Sequence, residues 1–229
     1  MEQPIGPEVD AAPAVRPGPA TLTGRYCRVE KLDATRHAAD LWRAYQGDDW
    51  LWRYFPAGPF PQERGFADWI DERAALSDPY SYAVIDLSRG RAGGILAYLE
   101  IRPDMRVIEV GGVIYGRTLQ ETIAATEAQY LMARHAFQTL GYRRYEWKCD
   151  ALNAKSWRAA QRLGFTFEGT FRQHRIVKGH NRDTAWFAIL DSEWPTRKQA
   201  FERWLATENF DENGRQRLSL SALNAVDCG

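Results

Sequence analysis

Apolar and polar residues alternate through 25–32, RYCRVEKL, with the period of a strand that buries one face. Asp33 follows in the place of a helix cap, ahead of His37, Leu41 and Tyr45, which recur every fourth residue. The stretch 48–61, DDWLWRYFPAGPFP, keeps neither period. Pro56, Pro59 and Pro61 break it, and it reads as an aromatic loop. Helical spacing returns in 62–76, QERGFADWIDERAAL. Two β-like runs, 81–87 (SYAVIDL) and 93–103 (GGILAYLEIRP), flank SRGRA and predict a hairpin. The run 106–116, RVIEVGGVIYG, predicts another strand beside them.

A long helix follows, with Ala124, Ala128, Leu131, Met132, Ala136 and Leu140 at helical spacing and Gly141 where a helix commonly ends. Segment 143–150, RRYEWKCD, predicts a strand, and 153–163, NAKSWRAAQRL, a short helix stopped by Gly164. Segment 165–190 predicts two strands around a polar connection. Segment 194–205, WPTRKQAFERWL, predicts a last helix with Pro195 in its first turn. Early hairpins followed by a strand-helix-strand crossover give a mixed α/β fold. The expected core is a twisted sheet of six to seven strands with helices on both faces.

A chain of 229 residues with this pattern makes one domain with tails. Residues 1–20 hold five of the eleven prolines and predict a disordered tail, 21–208 the folded domain, and 209–229 a polar, loosely held tail. Thirty basic and thirty acidic residues cancel, which argues against a nucleic-acid partner. No apolar run approaches the roughly 20 residues of a membrane span, and no secretory signal is visible at the N-terminus. Cys27, Cys149 and Cys228 are too few and too scattered for a disulfide framework or a zinc site, so a reducing, cytoplasmic setting is expected. His174 and His180, six apart with Asp183 near, do not have metal-ligand spacing, and no metal is expected.

Candidate chemistry gathers where the strand 106–116 meets the long helix, in YGRTLQETIAATEA (115–128). A strand-to-helix turn offers free backbone amides and the positive end of a helix dipole to a phosphate. The stretch 124–172 contains ATEA, HAF, LGYRR, NAKS, RLGF and EGTFR in order, WRYFPAGPF and ADWI stand upstream, and AWFAILDSEWP stands downstream. In this combination, over about residues 22–205, the chain resembles the GCN5-related N-acetyltransferases (GNAT), closest to the RimJ/RimL-like branch. The resemblance implies the GNAT fold, acetyl-CoA as donor, and direct transfer of acetyl to a primary amine, on a protein N-terminus or a small molecule. The family's pyrophosphate turn is glycine-rich. Here Glu121 and Ile123 stand in the glycine positions, which limits close approach and disfavours a positive φ. Arg117, Thr118 and Thr122 offer charge and hydroxyl donors in compensation.

The resemblance further implies a base, for which Glu109 is the first candidate and Glu100 the reserve. A bulge at Gly111-Gly112 would aim an amide at the thioester carbonyl. The pantetheine arm would lie along Val113 and Tyr115, the diphosphate over Gln120, Glu121, Thr122, Ile123 and Ala124 with Arg117. Asn153 would hold a pantetheine amide, although it is equally suited to cap 154–163. Ser156 would stand near the sulfur as an acid. Lys155, Arg158 and Arg162 either meet phosphates or form a solvated helix face. Trp50, Trp52 and Tyr54 would wall the acceptor on one side, Arg172 and His174 on the other. Such branch members often pair as homodimers. The alternative is a catalytically weak CoA sensor or protein-interaction module, which the missing glycines favour.

Overall fold

The computed structural model describes residues 3–225. Eight strands form one sheet in the order β1-β2-β3-β4-β5-β6-β8-β7. They are β1 (Leu22–Thr23), β2 (Cys27–Lys31), β3 (Tyr80–Asp86), β4 (Arg91–Arg102), β5 (Val107–Tyr115), β6 (Arg144–Asp150), β7 (Thr166–Val177) and β8 (His180–Leu190). The expected six to seven strands become eight because the two-residue β1, too short for any period to show, pairs with β2.

The helices are α1 (Ala34–Tyr45), α2 (Glu63–Ala75), α3 (Ile123–Arg134), α4 (Ala154–Arg162), α5 (Trp194–Leu205) and α6 (Leu220–Ala225). Asp33 caps α1, its carboxylate accepting from Arg36 N at 3.1 Å. Helices α1 and α2 cover one face of the sheet, where Leu41, Tyr45, Phe66 and Ile70 pack on Ile85, Ile95 and Ile114. Helices α3, α5 and α6 cover the other, around Leu131, Met132, Tyr145, Phe187 and Phe201. Beyond Arg134 the long helix widens into a π turn over His135–Thr139 before Gly141 ends it. Among the described residues no helix is long and apolar enough to cross a membrane.

Both expected tails are tied down in part. Residues 3–20 hold no helix and no strand, but Ala14 N donates to Pro103 O at 3.1 Å, Val15 N to Leu140 O at 2.8 Å, and Pro17 is buried. In 209–229, residues 212–218 are exposed, while the flanks on either side are held. Asn209 is buried and donates to Trp204 O and Leu218 O, and α6 sinks Leu220 and Leu223 into the core.

Two features of the sheet create the site. Strands β5 and β6 run parallel and pair only at Val107–Arg144, Ile108–Tyr145 and Glu109–Glu146. Beyond Glu109 they part, so the sheet is split over the outer half of β5. Strand β5 is also bulged: Ala97 pairs with Gly111 and Ile95 with Ile114, which leaves Gly112 and Val113 opposite a single residue of β4. Gly112 sits at φ 58°, as the bulge expected at Gly111-Gly112 requires.

The chain entering β2 is pinned to α3. Glu127 of α3 accepts from the amides of Arg25, Tyr26 and Cys27 at 2.8, 2.7 and 2.7 Å. The backbone passes so close over this carboxylate that a Cβ on Gly24 would lie 2.3 Å from it.

Candidate active site

The split between β5 and β6 opens into a cleft of about 1790 Å³. One end is built by the turn into α3. Thr122 caps the helix, its hydroxyl accepting from Ala125 N at 3.1 Å. Among the described residues the amides of Glu121, Ile123 and Ala124 take no protein acceptor. They form the open donor set that an anion at a helix N-terminus uses. Glu121 adopts φ 60°, so the turn takes the left-handed shape at a position where the resemblance implies glycine. A side chain in that conformation costs roughly 1–2 kcal/mol, and the structure keeps the turn despite it. The exposed Glu121 and the half-buried Gln120, Thr122 and Ile123 all line the cleft. Ala124 is buried and contributes its amide.

The charged centre lies where the strands part. Glu109 is buried and its carboxylate takes Lys148 Nζ at 2.7 Å. Lys148 bridges onward to Glu146 at 2.8 Å and stands over the Trp186 ring, 4.2 Å from its centroid. Burial raises the Glu109 pKa above the ordinary carboxylate range, against the pull of Lys148. Burial acts on Glu146 too, but hydrogen bonds from Arg144 and Lys148 outweigh it and hold that carboxyl below its ordinary value. Glu109 is thus a proton acceptor poised upward, and Glu146 a fixed anion behind it. Glu100 also lines the cleft, but it is half-exposed and paired with Arg102 at 3.0 Å and Arg175 at 3.8 Å.

The wall formed by α4 brings in Asn153 and Ser156. Asn153 caps α4 through its side-chain oxygen, which accepts from Ser156 N at 3.2 Å. Trp147 Nε1 donates to Ser156 Oγ at 3.0 Å, and the serine hydroxyl stands within hydrogen-bonding reach of the Cys149 thiol. Val113 and Tyr115 line the cleft from β5, and Lys155, Arg158 and Arg162 line it from α4. Arg162 donates to Thr126 Oγ1 at 3.1 Å, tying α4 to the start of α3.

Three expected site residues lie elsewhere. Trp52 is a core residue, packed edge-on against Tyr45, Phe55, Phe60 and Trp69. Arg117 turns away to Asp48, with Nε 2.6 Å from the carboxylate, because that buried anion is its nearest partner. Arg172 is exposed on β7 and does not line the cleft. Trp50, Tyr54 and His174 do line it. The sequence reading missed Lys148, Arg73 and Arg182. For Lys148 a signal existed: Arg144, Glu146, Lys148 and Asp150 alternate along β6 as one charged stripe, facing away from Tyr145 and Trp147.

A parallel strand pair thus splits beside an amide-rich helix start, with a buried carboxylate at the fork. The chain matches the acetyltransferase (GNAT) domain over residues 28–166. It is 43% identical to a GCN5-related N-acetyltransferase from Brucella melitensis over 93% of this chain and 97% of that one, with a TM-score of 0.91. It is 41% identical to a probable GNAT-family acetyltransferase from Chromobacterium violaceum over 85% of this chain and 100% of that one, with a TM-score of 0.77. A RimL ribosomal L7/L12 alpha-N-protein acetyltransferase shares the fold at 19% identity, covering 77% of this chain and 99% of that one, with a TM-score of 0.64. No curated protein matches the chain. The protein belongs to the GNAT acetyltransferase family and is an acyltransferase.

Proposed function

We propose that the protein transfers an acetyl group from acetyl-CoA to a primary amine, with both substrates bound at once. The observation that carries this reading is the fork at Glu109. A buried carboxylate of raised pKa stands where the sheet opens, with a phosphate-type amide cradle on the same cleft. At about 1790 Å³ the cleft exceeds the roughly 300–1,000 Å³ of a single small-ligand site, as a nucleotide donor and a separate acceptor require.

Acetyl-CoA supplies an activated acetyl group as a thioester. The amides of Glu121, Ile123 and Ala124 would hold its diphosphate, and Asn153 with Val113 and Tyr115 the pantetheine arm. The residues then divide the work. Glu109 takes the proton from the incoming ammonium, so that the free amine attacks the thioester carbon. The bulged edge of β5 at Gly112-Val113 offers backbone N–H groups to the developing oxyanion. Ser156 gives a proton to the departing sulfur as the C–S bond breaks, and the second proton shed by the acylated nitrogen returns to the serine oxygen. The aromatic wall of Trp50, Tyr54 and Phe55 excludes water around the amine. The resemblance of 124–172 to RimJ/RimL-like enzymes supports a protein N-terminus among the acceptors.

Free-thiol release from acetyl-CoA with a panel of primary amines tests the reading. Amine-dependent release is expected. Tight CoA binding without release from any amine would instead favour the sensor.

A further inference from the structure

Four buried polar atoms on the acceptor side of the cleft bond nothing among the described residues: Arg73 Nε, Arg182 Nε, His174 Nδ1 and Thr184 Oγ1. Their residues all line this one cleft, yet they come from three elements, Arg73 from α2, His174 from β7, and Arg182 and Thr184 from β8. Arg73 reaches the bulge of β5. A Cβ on Gly112 would lie 2.4 Å from its Nη2, so a glycine is what admits the guanidinium there. The rings of Phe55 and Trp69 lie 5.4 Å from its Cζ. Burial lowers its pKa to about 10, which leaves it cationic at neutral pH.

The other charges of this end find partners. Lys148 has Glu109 and Glu146, and Arg175 has Glu100 at 3.8 Å. Arg73 and Arg182 form no ion pair among the described residues. Burial and then Arg175 lower the Arg182 pKa, while Asp150 and Glu109 act in the opposite sense from a distance. Burial, and after it Arg175, Arg182 and Lys148, hold His174 below its ordinary value against the pull of Glu100, so cations stand close to its ring. Half-buried cations without counter-ions, beside unmet hydrogen-bonding groups, are costly unless a ligand completes them. An arginine fork is matched by a planar carboxylate.

We infer that the acceptor amine carries a carboxylate, and that Arg73 and Arg182 bind it from the two sides of the split. Thr184 and His174 complete the contact. This rests on the acetyltransferase reading and narrows it: the amine goes to Glu109, the acid to the arginines. Polyamines and other polycations are excluded, because they bring like charge to the uncompensated pair. The carboxylate has two sources, the α-carboxylate of a free amino acid or an acidic side chain at a peptide N-terminus.

Thiol release measured with matched acceptors tests this. L-phenylalanine is set against L-phenylalaninamide, a peptide with N-terminal aspartate against its asparagine counterpart, and spermidine serves as the polycation. In at least one pair the acid is expected to exceed the neutral member in kcat/KM by about ten- to a hundredfold, and that pair identifies the source. Arg73→Gln and Arg182→Gln are expected to bring the ratio close to one, chiefly through KM. If a glutamine variant fails to fold, Arg73→Lys or Arg182→Lys, which keeps charge but loses the fork, should reduce the ratio less. Equal kcat/KM within both pairs, an unaltered ratio in the variants, or a preference for spermidine overturns the inference and leaves the transferase reading standing. No release with any amine overturns both.

Discussion

Glu109 is pulled in two directions, upward by burial and downward by Lys148, and burial prevails. A base must be unprotonated to act, so kcat/KM is expected to be lost as pH falls through this raised value. Glu109→Gln should flatten that acid limb and lower kcat by about 100-fold or more. pH–rate profiles of thiol release decide it, and an acid limb that survives in the variant moves the base elsewhere. Stability follows the same proton. The native carboxyl holds it to higher pH than the unfolded chain, so stability falls as pH rises from the ordinary carboxylate value to the raised one. Denaturant titrations on both sides of that window should show the fall in the parent and not in Glu109→Gln.

Glu121 makes the second residue-scale argument. Its φ of 60° suits glycine, and its charge stands beside the proposed diphosphate site. Glu121→Gly relieves the left-handed strain but adds chain entropy of roughly 0.5–1 kcal/mol, so stability should change little. CoA affinity should rise severalfold in calorimetry; a weaker binder would show that Glu121 helps to hold the nucleotide. Glu109 was legible in the sequence because a lone carboxylate in an apolar strand stands out. Lys148 and Arg73 were not. Their place depends on the Glu109–Glu146 register and on a helix packing beneath Gly112, neither of which any local pattern encodes. Trp52 misled for the converse reason: a proline-broken loop looks exposed, but this one folds its tryptophan among five other rings.

At the scale of elements, most helices and strands follow from period and punctuation. What the sequence hid are the pieces held by tertiary contact. Strand β1 is too short for a period. The six residues of α6 are helical because Leu220 and Leu223 find the core beside α5. Glu127 shows how such a contact is encoded without looking structural. It lies inside the ATEA fragment, one helix turn past the proposed phosphate cradle, and its work is to bind the chain entering β2. Glu127→Ala leaves three amide donors unmet and should cost at least about 3 kcal/mol. Urea unfolding measures this. A loss under 1 kcal/mol would mean that water satisfies those amides equally well.

Over the whole molecule, one split sheet joins two half-sites. At one end of the cleft lie the α3 amides and α4; at the other lie the aromatic loop, α2 and the β7–β8 hairpin, with Glu109 at the fork between β5 and β6. The fold class and crossover were visible in the order of elements. The split was not, because strands that part and strands that stay paired have the same alternation. The account depends most on the α3 amides holding CoA, and Ile123 allows a direct measurement. It is the first residue of α3, its amide has no protein acceptor, and Thr122 before it is extended at φ −92°, ψ 163°. Proline is tolerated in that place but removes the N–H. Calorimetric titration of CoA into the parent, Ile123→Ala and Ile123→Pro separates side chain from amide. The expected result is binding to the parent and to Ile123→Ala, and at least about tenfold weaker binding to Ile123→Pro at a similar unfolding midpoint. Equal affinity in the proline and alanine variants, or no binding to the parent, would contradict the account.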